Sequence, residues 1–362
     1  MIRVNILSEG FVTPNGCAFL FPLVIHKNAL FNAGIEWNLF TERSSGLIDC
    51  DILILESKFY RDKWRKEERK ILDEFSSYQS ASPKVFFFDT GDSSGWLQSQ
   101  VLPFVDGYRK SQLLQNRSQY LQPMYGHRPF TNYYHSKYAV DDVNPGYSRI
   151  IKDEKLLEKL AVSWNSGLAD YSLFGPNLMS IYKRIAYSKV LRFPKSFSNV
   201  KSSRYNEVSC RFGVTYSRET ISWQRKKIRA IFAGEISTKK MSRRMYFKEL
   251  VSSKVIVSPF GLGEITLKDF EVFLTGGLLL KPDMNHMETW PNFFQQDKTM
   301  CTFGWDAEDL KQKLEDVLLD DDKRITIANE GQRIYRHYTT GNNAAEEFCL
   351  QFKKTLDIST YN

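Results

Sequence analysis

The stretch VIVSPFGLGEITLKDFEVFLTGGLLLKPD, Val255 to Asp283, decides how the chain is read. An apolar, β-branched run ends at Pro259, whose missing N–H closes a strand ladder, and Gly261 and Gly263 follow around a single Leu. From Ile265 the spacing turns helical, stops at Gly276-Gly277, and LLLKPD opens a further strand. In an open parallel sheet such a strand exit is where ligands bind, because free N–H groups open the helix and glycines let backbone come close. Glu264, Lys268, Glu271 and Thr275 step by four, three and four residues and share one helix face. Carboxylates accept hydrogen bonds from sugar diols and a lysine suits a phosphate, so this face fits a charged, hydroxyl-rich ligand. The same spacing also serves a salt bridge on a solvated helix face, with glycines that only make the turn.

The alternation extends in both directions. Towards the N-terminus, IRVNIL, IEWNLF, DCDILILES and KVFFFDTGD read as strands, separated by the helical AFLFPLVIHKNALFNAG and RDKWRKEERKILDEFSSY. No G-x-G-x-x-G follows the first strand, so a dinucleotide fingerprint is not supported. Tyr108 to Pro194 is aromatic and punctuated by Pro, Gly and Asn; PMYGHRPFTNYYHSKYAVDDVNPGY reads as a long ordered loop, and KDEKLLEKLAVSWNSGLADYS as a helix followed by a strand. LRFPKSFSNVKSSRYN, rich in Ser, Lys and Pro, is the expected linker. Beyond it EVSCRFGVTY is a strand, SRETISWQRKKIRAIFAG a helix capped by Ser217 or Thr220, and SRRMYFKELVSS another helix. WDAEDLKQKLEDVLLDDDKRITIANEGQRIYRHY is helical, and GNNAAEEFCLQFKKTL closes the chain as a terminal helix. The expected fold class is α/β: two Rossmann-like layers facing each other across a cleft, from residues 1–195 and 196–340, with 341–362 packing back on the first.

Composition narrows the class. The 362 residues are 42% hydrophobic and 14% aromatic, ample for real cores and against disorder. Five scattered cysteines without metal-ligand spacing point to free thiols in a reducing cytoplasm, and MIRVNILSEG reads as a first strand rather than a signal peptide. A net charge of +8 admits nucleic acid, an anionic membrane surface or a phosphorylated small molecule. The basic clusters are short and no zinc-finger, RRM or homeodomain pattern is present, so no nucleic-acid partner is expected.

SPFGLGEITLKDFEVFLTGGLLLKPD resembles the donor-binding segment of GT-B glycosyltransferases, in which a glycine-bearing loop leads to a helix of the form R/K-x-x-E-A/V-x-x-x-G and then a short strand. Lys268, Glu271 and Gly276 stand at the matching positions, and HMETWPNFF, TFGWDAEDLKQKLEDVL and the terminal helix fit the rest of that domain. The resemblance covers about residues 240–340, and its nearest look-alikes belong to bacterial polysaccharide and lipopolysaccharide synthesis. It implies that Glu271 binds the nucleotide's ribose hydroxyls. Ser258, Glu264 and the Gly261–Gly263 backbone would then meet the donor sugar or phosphate, with Lys268 nearby. Glu264 and Glu271 are seven residues apart, one fewer than in the retaining members, so the resemblance assigns no stereochemical outcome.

A transferase of this kind needs positive charge where the leaving phosphate gains negative charge. Arg211, Tyr216, Arg218 and the helix N-terminus at Thr220 are candidates for that cradle, with Lys239, Lys240, Arg243 and Arg244 as a second basic cluster; surface charge is the plainer reading of each. FFFDTGDSSG places Asp89 and Asp92 at a strand end, where a general base or nucleophile sits, or where a carboxylate caps the next helix. Glu9 and Asn15 follow the first strand and would line the acceptor side. His127, Arg128, Tyr133, Tyr134 and His135 suit an anionic carbohydrate acceptor, or a packed aromatic loop. His286 follows the last core strand and would contact the donor sugar, or is an ordinary loop histidine.

The expectation is a cytoplasmic glycosyltransferase, peripheral at the inner membrane, that joins a sugar from a nucleotide sugar to a glycan or lipid-linked glycan. No D-x-D tripeptide is present outside the DDD of a late helical segment, so neither metal nor cofactor is expected. A sugar-nucleotide epimerase or hydrolase, and a non-catalytic nucleotide-sugar binding protein, are the alternatives.

Overall fold

The computed structural model describes residues 1–81, 83–185, 190–201 and 203–359. Its first half runs β1 (Ile2–Leu7), α1 (Pro14–Ile25), α2 (Lys27–Asn32), β2 (Ile35–Phe40), β3 (Ile52–Glu56), α3 (Ser57–Tyr60), α4 (Trp64–Ser80), β4 (Lys84–Asp89), β5 (Gly107–Lys110), β6 (Gln112–Leu114), α5 (Pro129–Tyr138), β7 (Leu160–Val162) and α6 (Gly175–Ile185). Six of these strands form a parallel sheet in the order β2-β1-β3-β4-β5-β7. Alternate residues leave opposite faces, which explains the unbroken apolar runs. Val85 and Phe87 of β4 enter one core with Leu53 and Leu55, whereas Phe86 and Phe88 enter another with Val4, Ile6 and Ile54.

The second half runs β8 (Asn206–Ser209), α7 (Glu219–Ile231), α8 (Arg243–Ser252), β9 (Ser253–Val257), α9 (Leu267–Thr275), β10 (Leu278–Pro282), β11 (Met287–Thr289), β12 (Cys301–Phe303), α10 (Leu310–Leu319), α11 (Asp321–Thr340) and α12 (Ala344–Thr355). Its sheet is also parallel, ordered β12-β10-β9-β8. The core that holds Phe86 and Phe88 continues into this half through Phe270, Leu279, Phe293 and Tyr335, so one apolar body joins both layers.

Several local expectations are corrected. The aromatic loop contains the helix α5, opened by Pro129 at its first turn. KDEKLLEKL makes only a short 3₁₀ turn before the three residues of β7. The strand expected over EVSCRFGVTY leaves the sheet after Ser209. α7 starts behind Arg218, and neither Ser217 nor Thr220 caps it; Asp142 of the first half accepts from the Thr220 N–H and hydroxyl at 2.9 and 3.0 Å. The long late helix breaks at Asp320, and the first expected helix breaks at His26. Gly276 ends α9 with φ +72°, where any other residue would be strained.

The terminal helix returns to the first sheet. Gln351 donates to the Val162 and Ser163 carbonyls, and Arg109 of β5 donates to the Thr355 carbonyl and to Asp357 at 2.8 Å. Phe348 and Phe352 pack on Trp164, which stacks on Phe19 of α1. Because Phe352 is fully buried there, Phe352→Ala should lower unfolding free energy by about 3–5 kcal/mol, measured by urea titration.

Candidate functional site

A short ladder locks the two layers together. β11 pairs antiparallel with β6, Met287 opposite Leu114 and Thr289 opposite Gln112. The Gln115 N–H donates to the His286 carbonyl, and the Thr289 hydroxyl to the Ser111 carbonyl. This brings His286 beside Glu264, at 3.4 Å.

The loop 258–264 is held from three directions. The Gly261 N–H donates to the Gly263 carbonyl, and the Phe260 N–H to Gln224. Arg225 of α7 donates to the Phe260 carbonyl at 2.6 Å, and Arg128 of the first half to the Leu262 carbonyl. Ser258 donates to Asp269, which also pairs with the buried Lys281. Gly263 lies so close to the first half that a Cβ there would stand 1.8 Å from the Asp92 carbonyl oxygen.

Glu264 has no exposed surface and accepts across the layer boundary, from the Ser94 hydroxyl at 2.7 Å, the Ser94 N–H at 3.1 Å and the Ser93 hydroxyl at 3.3 Å. Burial alone would raise its carboxyl, but His286 and Ser94 outweigh that and hold it down at about 2. The carboxylate expected to meet the donor is therefore a clamp between layers, with no face open to a ligand.

The two aspartates of FFFDTGDSSG divide. Asp89 is buried and accepts from Lys110 at 2.8 Å, Tyr108 at 2.6 Å and the Gly91 N–H at 2.8 Å. Burial raises its carboxyl, yet the Lys110 charge together with the hydrogen bonds from Lys110, Tyr108 and the Gly91 N–H outweighs this and leaves it below its ordinary value. All this makes Asp89 the builder of the loop and a poor base. Asp92 is partly exposed; among the described residues its carboxylate pairs with no cation and accepts only from Asn15, at 2.7 Å, while its carbonyl accepts from Gln112. It lines both a small polar cavity of about 40 Å³, with Asn15, Gln112, Asn165 and Ile265, and a groove of about 550 Å³ on the first layer. Glu9 accepts from Thr13 at the start of α1 and lines neither space.

On α9, Glu271 accepts from Arg243 at 3.1 Å and Tyr246 at 3.0 Å, and its burial pushes the carboxyl up. Arg243 in turn donates to the Leu173, Tyr171 and Ser172 carbonyls. Lys268 donates to the Arg211 and Val257 carbonyls, and burial lowers its ammonium to about 8. The Arg211 guanidinium is fully engaged by Glu249 and the Lys239 carbonyl, so it does not join the others. Tyr216 lies under the Arg225 guanidinium at 5.0 Å.

Three cations do converge beside the loop. Arg128 and Arg218 both donate to the Gly126 carbonyl, and a Cβ on Gly261 would lie 3.5 Å from Arg225 Nη2. Their side-chain acceptors are carbonyls, so the positive charge is not neutralised. Burial and the Arg218 charge lower Arg128 to about 10, and burial with both guanidiniums lowers the adjacent His127 to about 4. By contrast, the N-terminus of α7 is already occupied by Asp142 and offers no anion site. Tyr133 and Tyr134 bond Asp306 and the Trp305 carbonyl across the layers, whereas His135 pairs with Asp141 within the first.

Arg225 escaped the sequence reading. It stands four residues after Ile221 and three before Ile228, on the buried face of α7, and that position inside QRKKIR is its only signal. Gln224, Ser93 and Ser94 carry no signal of their own.

Two parallel sheets flanked by helices, with a last helix returned to the first, make an α/β fold that resembles the GT-B glycosyltransferases. Residues 201–349 match the family model described as Glycosyl transferase-like. No curated protein matches the sequence. Among solved structures, Anabaena Alr3699/HepE in complex with UDP-glucose aligns over 99% of this chain and 100% of its own, at 10% identity and a TM-score of 0.45. A glycosyltransferase from Rickettsia africae aligns over 99% of each chain, at 10% identity and 0.47. S. aureus MnaA, in a co-structure with UDP, aligns over 100% of this chain and 99% of its own, at 10% identity and 0.43.

The Glu264 clamp sets an acid dependence. Its carboxyl lies near 2 when folded against an ordinary 4.5, so its stabilisation is complete above about pH 4.5 and is lost as pH falls towards 2. Glu264→Gln should therefore be less stable at pH 7 by on the order of 3 kcal/mol, and should show a flatter stability profile between pH 5 and pH 2. Urea titrations at several pH values check this, and parallel profiles for the two proteins would refute it.

Proposed function

We propose that this chain is a glycosyltransferase that moves a sugar from a nucleotide-activated donor to a growing bacterial surface glycan: lipopolysaccharide, O-antigen or capsule. The match of residues 201–349 to the glycosyl transferase-like family carries the reading, because it encloses the whole Val255–Asp283 unit. The nucleotide lies against α9, where its ribose hydroxyls take over hydrogen bonds that Glu271 now receives from Arg243 and Tyr246. Arg128, Arg218 and Arg225 face the leaving phosphate and meet its growing negative charge without a metal. Asp92 takes the proton of the acceptor hydroxyl as that oxygen bonds the anomeric carbon, while the bond from that carbon to the phosphate oxygen breaks and the nucleoside phosphate departs. Asn15 orients the Asp92 carboxylate through its amide.

Work at the inner face of a bacterial membrane belongs to the same reading. Among the described residues no helix is long and apolar enough to cross a bilayer, and the +8 balance suits anionic headgroups.

Two substitutions separate the roles. Glu271→Ala should weaken nucleotide binding by roughly tenfold or more, read by calorimetry on folded protein; unchanged affinity counts against the donor assignment. Asp92→Asn should lower the transfer kcat by roughly 10²–10⁴ while leaving nucleotide affinity intact. A nucleotide sugar consumed equally fast with and without acceptor would instead identify a hydrolase or epimerase.

A further inference from the structure

The groove of about 550 Å³ that ends at Asp92 lies wholly on the first layer, between the start of α4, the 96–100 segment and His127-Arg128. Its size falls within the roughly 300–1,000 Å³ of ligand pockets. Its charge is one-sided. Lys58 and Arg65 have no acidic partner among the described residues, and Arg61 has only a 3.7 Å contact with its exposed neighbour Asp62. Arg128 closes the inner end, donating only to carbonyls among the described residues. Of the acids in the wall, Asp89 is neutralised by Lys110 and Glu68 by Arg149, which leaves Asp92 alone.

The groove also carries an exposed aromatic platform. Trp96 is 36% exposed, and its ring rests on His127 with centroids 4.1 Å apart. An exposed Trp in a polar groove is suited to stacking on the apolar face of a sugar ring. Unpaired guanidinium and ammonium groups, in turn, bind carboxylate or phosphate oxygens.

The geometry points to an acidic saccharide as the acceptor, its carboxylate or phosphate on Lys58, Arg61 and Arg65, its ring on Trp96, and its reacting hydroxyl at Asp92. This inference rests on the glycosyltransferase reading for the word acceptor, but the groove's preference for acidic sugars is measurable without any donor. The anion has two sources of one chemistry: an acidic sugar residue, or the diphosphate of a lipid-linked glycan.

The test titrates the wild-type chain and Lys58→Ala/Arg65→Ala, without donor, by saturation-transfer NMR. Probes are methyl β-D-glucuronide, its neutral counterpart methyl β-D-glucoside, glucose 1-phosphate, farnesyl diphosphate and phosphatidylglycerol vesicles. Wild type should bind the acidic probes roughly ten- to hundredfold more tightly than methyl glucoside, with an advantage that shrinks as salt rises. The double variant should lose that advantage while keeping its melting temperature and its affinity for UDP, GDP and CDP. Tighter binding of farnesyl diphosphate than of glucuronide supports a lipid-linked diphosphate, and the reverse supports an acidic sugar. No acidic preference in wild type, a preference that survives in the double variant, or binding to vesicles with none to any saccharide overturns the proposal. Were the double variant unstable, the exposed Arg61→Glu carries the same comparison. Absence of nucleotide-sugar binding or turnover in wild type defeats the glycosyltransferase reading alone, since the donor-free titrations stand apart from it.

Discussion

A carboxylate without solvent exposure, contributed by the second layer and held by serines of the first together with a histidine of its own layer, governs how this molecule is put together. An unpaired charge in such a place is strongly unfavourable, and only several well-placed hydrogen bonds make it tolerable. Glu264 finds them in Ser93, Ser94 and His286, two of which belong to the loop that follows β4. Because His286 is itself carried on the cross-layer ladder of β6 and β11, three chain segments must assemble before Glu264 can be buried. The loop 258–264, the Asp89–Ser94 loop and the start of β11 thus take up a single mutual arrangement. The candidate chemistry sits within it.

The same arrangement decides which charges remain available. Helix N-termini attract anions, and α7 would be the natural site at the mouth of the second layer. Asp142 already fills it, so the positive ends that remain are side chains: Arg128, Arg218 and Arg225, each anchored to backbone carbonyls. A guanidinium fixed by carbonyls leaves its positive charge uncompensated, whereas one fixed by a carboxylate forms a pair with no net charge. Arg211, bidentate on Glu249, shows the second case a few residues away. Basic residues that look alike in sequence therefore divide by partner, into those that neutralise and those that hold charge ready.

Much of the architecture is legible from residue order alone. The apolar runs that make β1, β3, β4, β9 and β10 are strands because in each the alternate residues enter two different cores, and the turn glycines punctuate them in the expected places. What is not legible is anything settled by contacts between distant segments. β6 and β11 are three residues each and have no periodicity to detect, yet they join the layers. α5 hides in an aromatic stretch whose tyrosines are used against Asp306 and Trp305, far along the chain. Asp89 and Asp92 are the same residue type three positions apart, and partners from elsewhere distinguish them: Lys110 and Tyr108 bury the first, and Asn15 holds the second at the surface.

Glycine in the opening stretch illustrates the limit. Gly261 and Gly263 flank a Leu at a strand exit, and elementary reasoning assigns both to close approach of a ligand. Gly261 does face Arg225, whose Nη2 a Cβ would meet at an ordinary contact distance, so space near it is open to a small group. Gly263 is different: the object that approaches is the Asp92 backbone of the other layer, and no side chain fits between them. Asp92 is then presented to the groove with its partner Asn15, at the boundary where the two layers meet. The glycine that seemed to serve a ligand serves the aspartate, and the ligand's place is defined by what that contact leaves free.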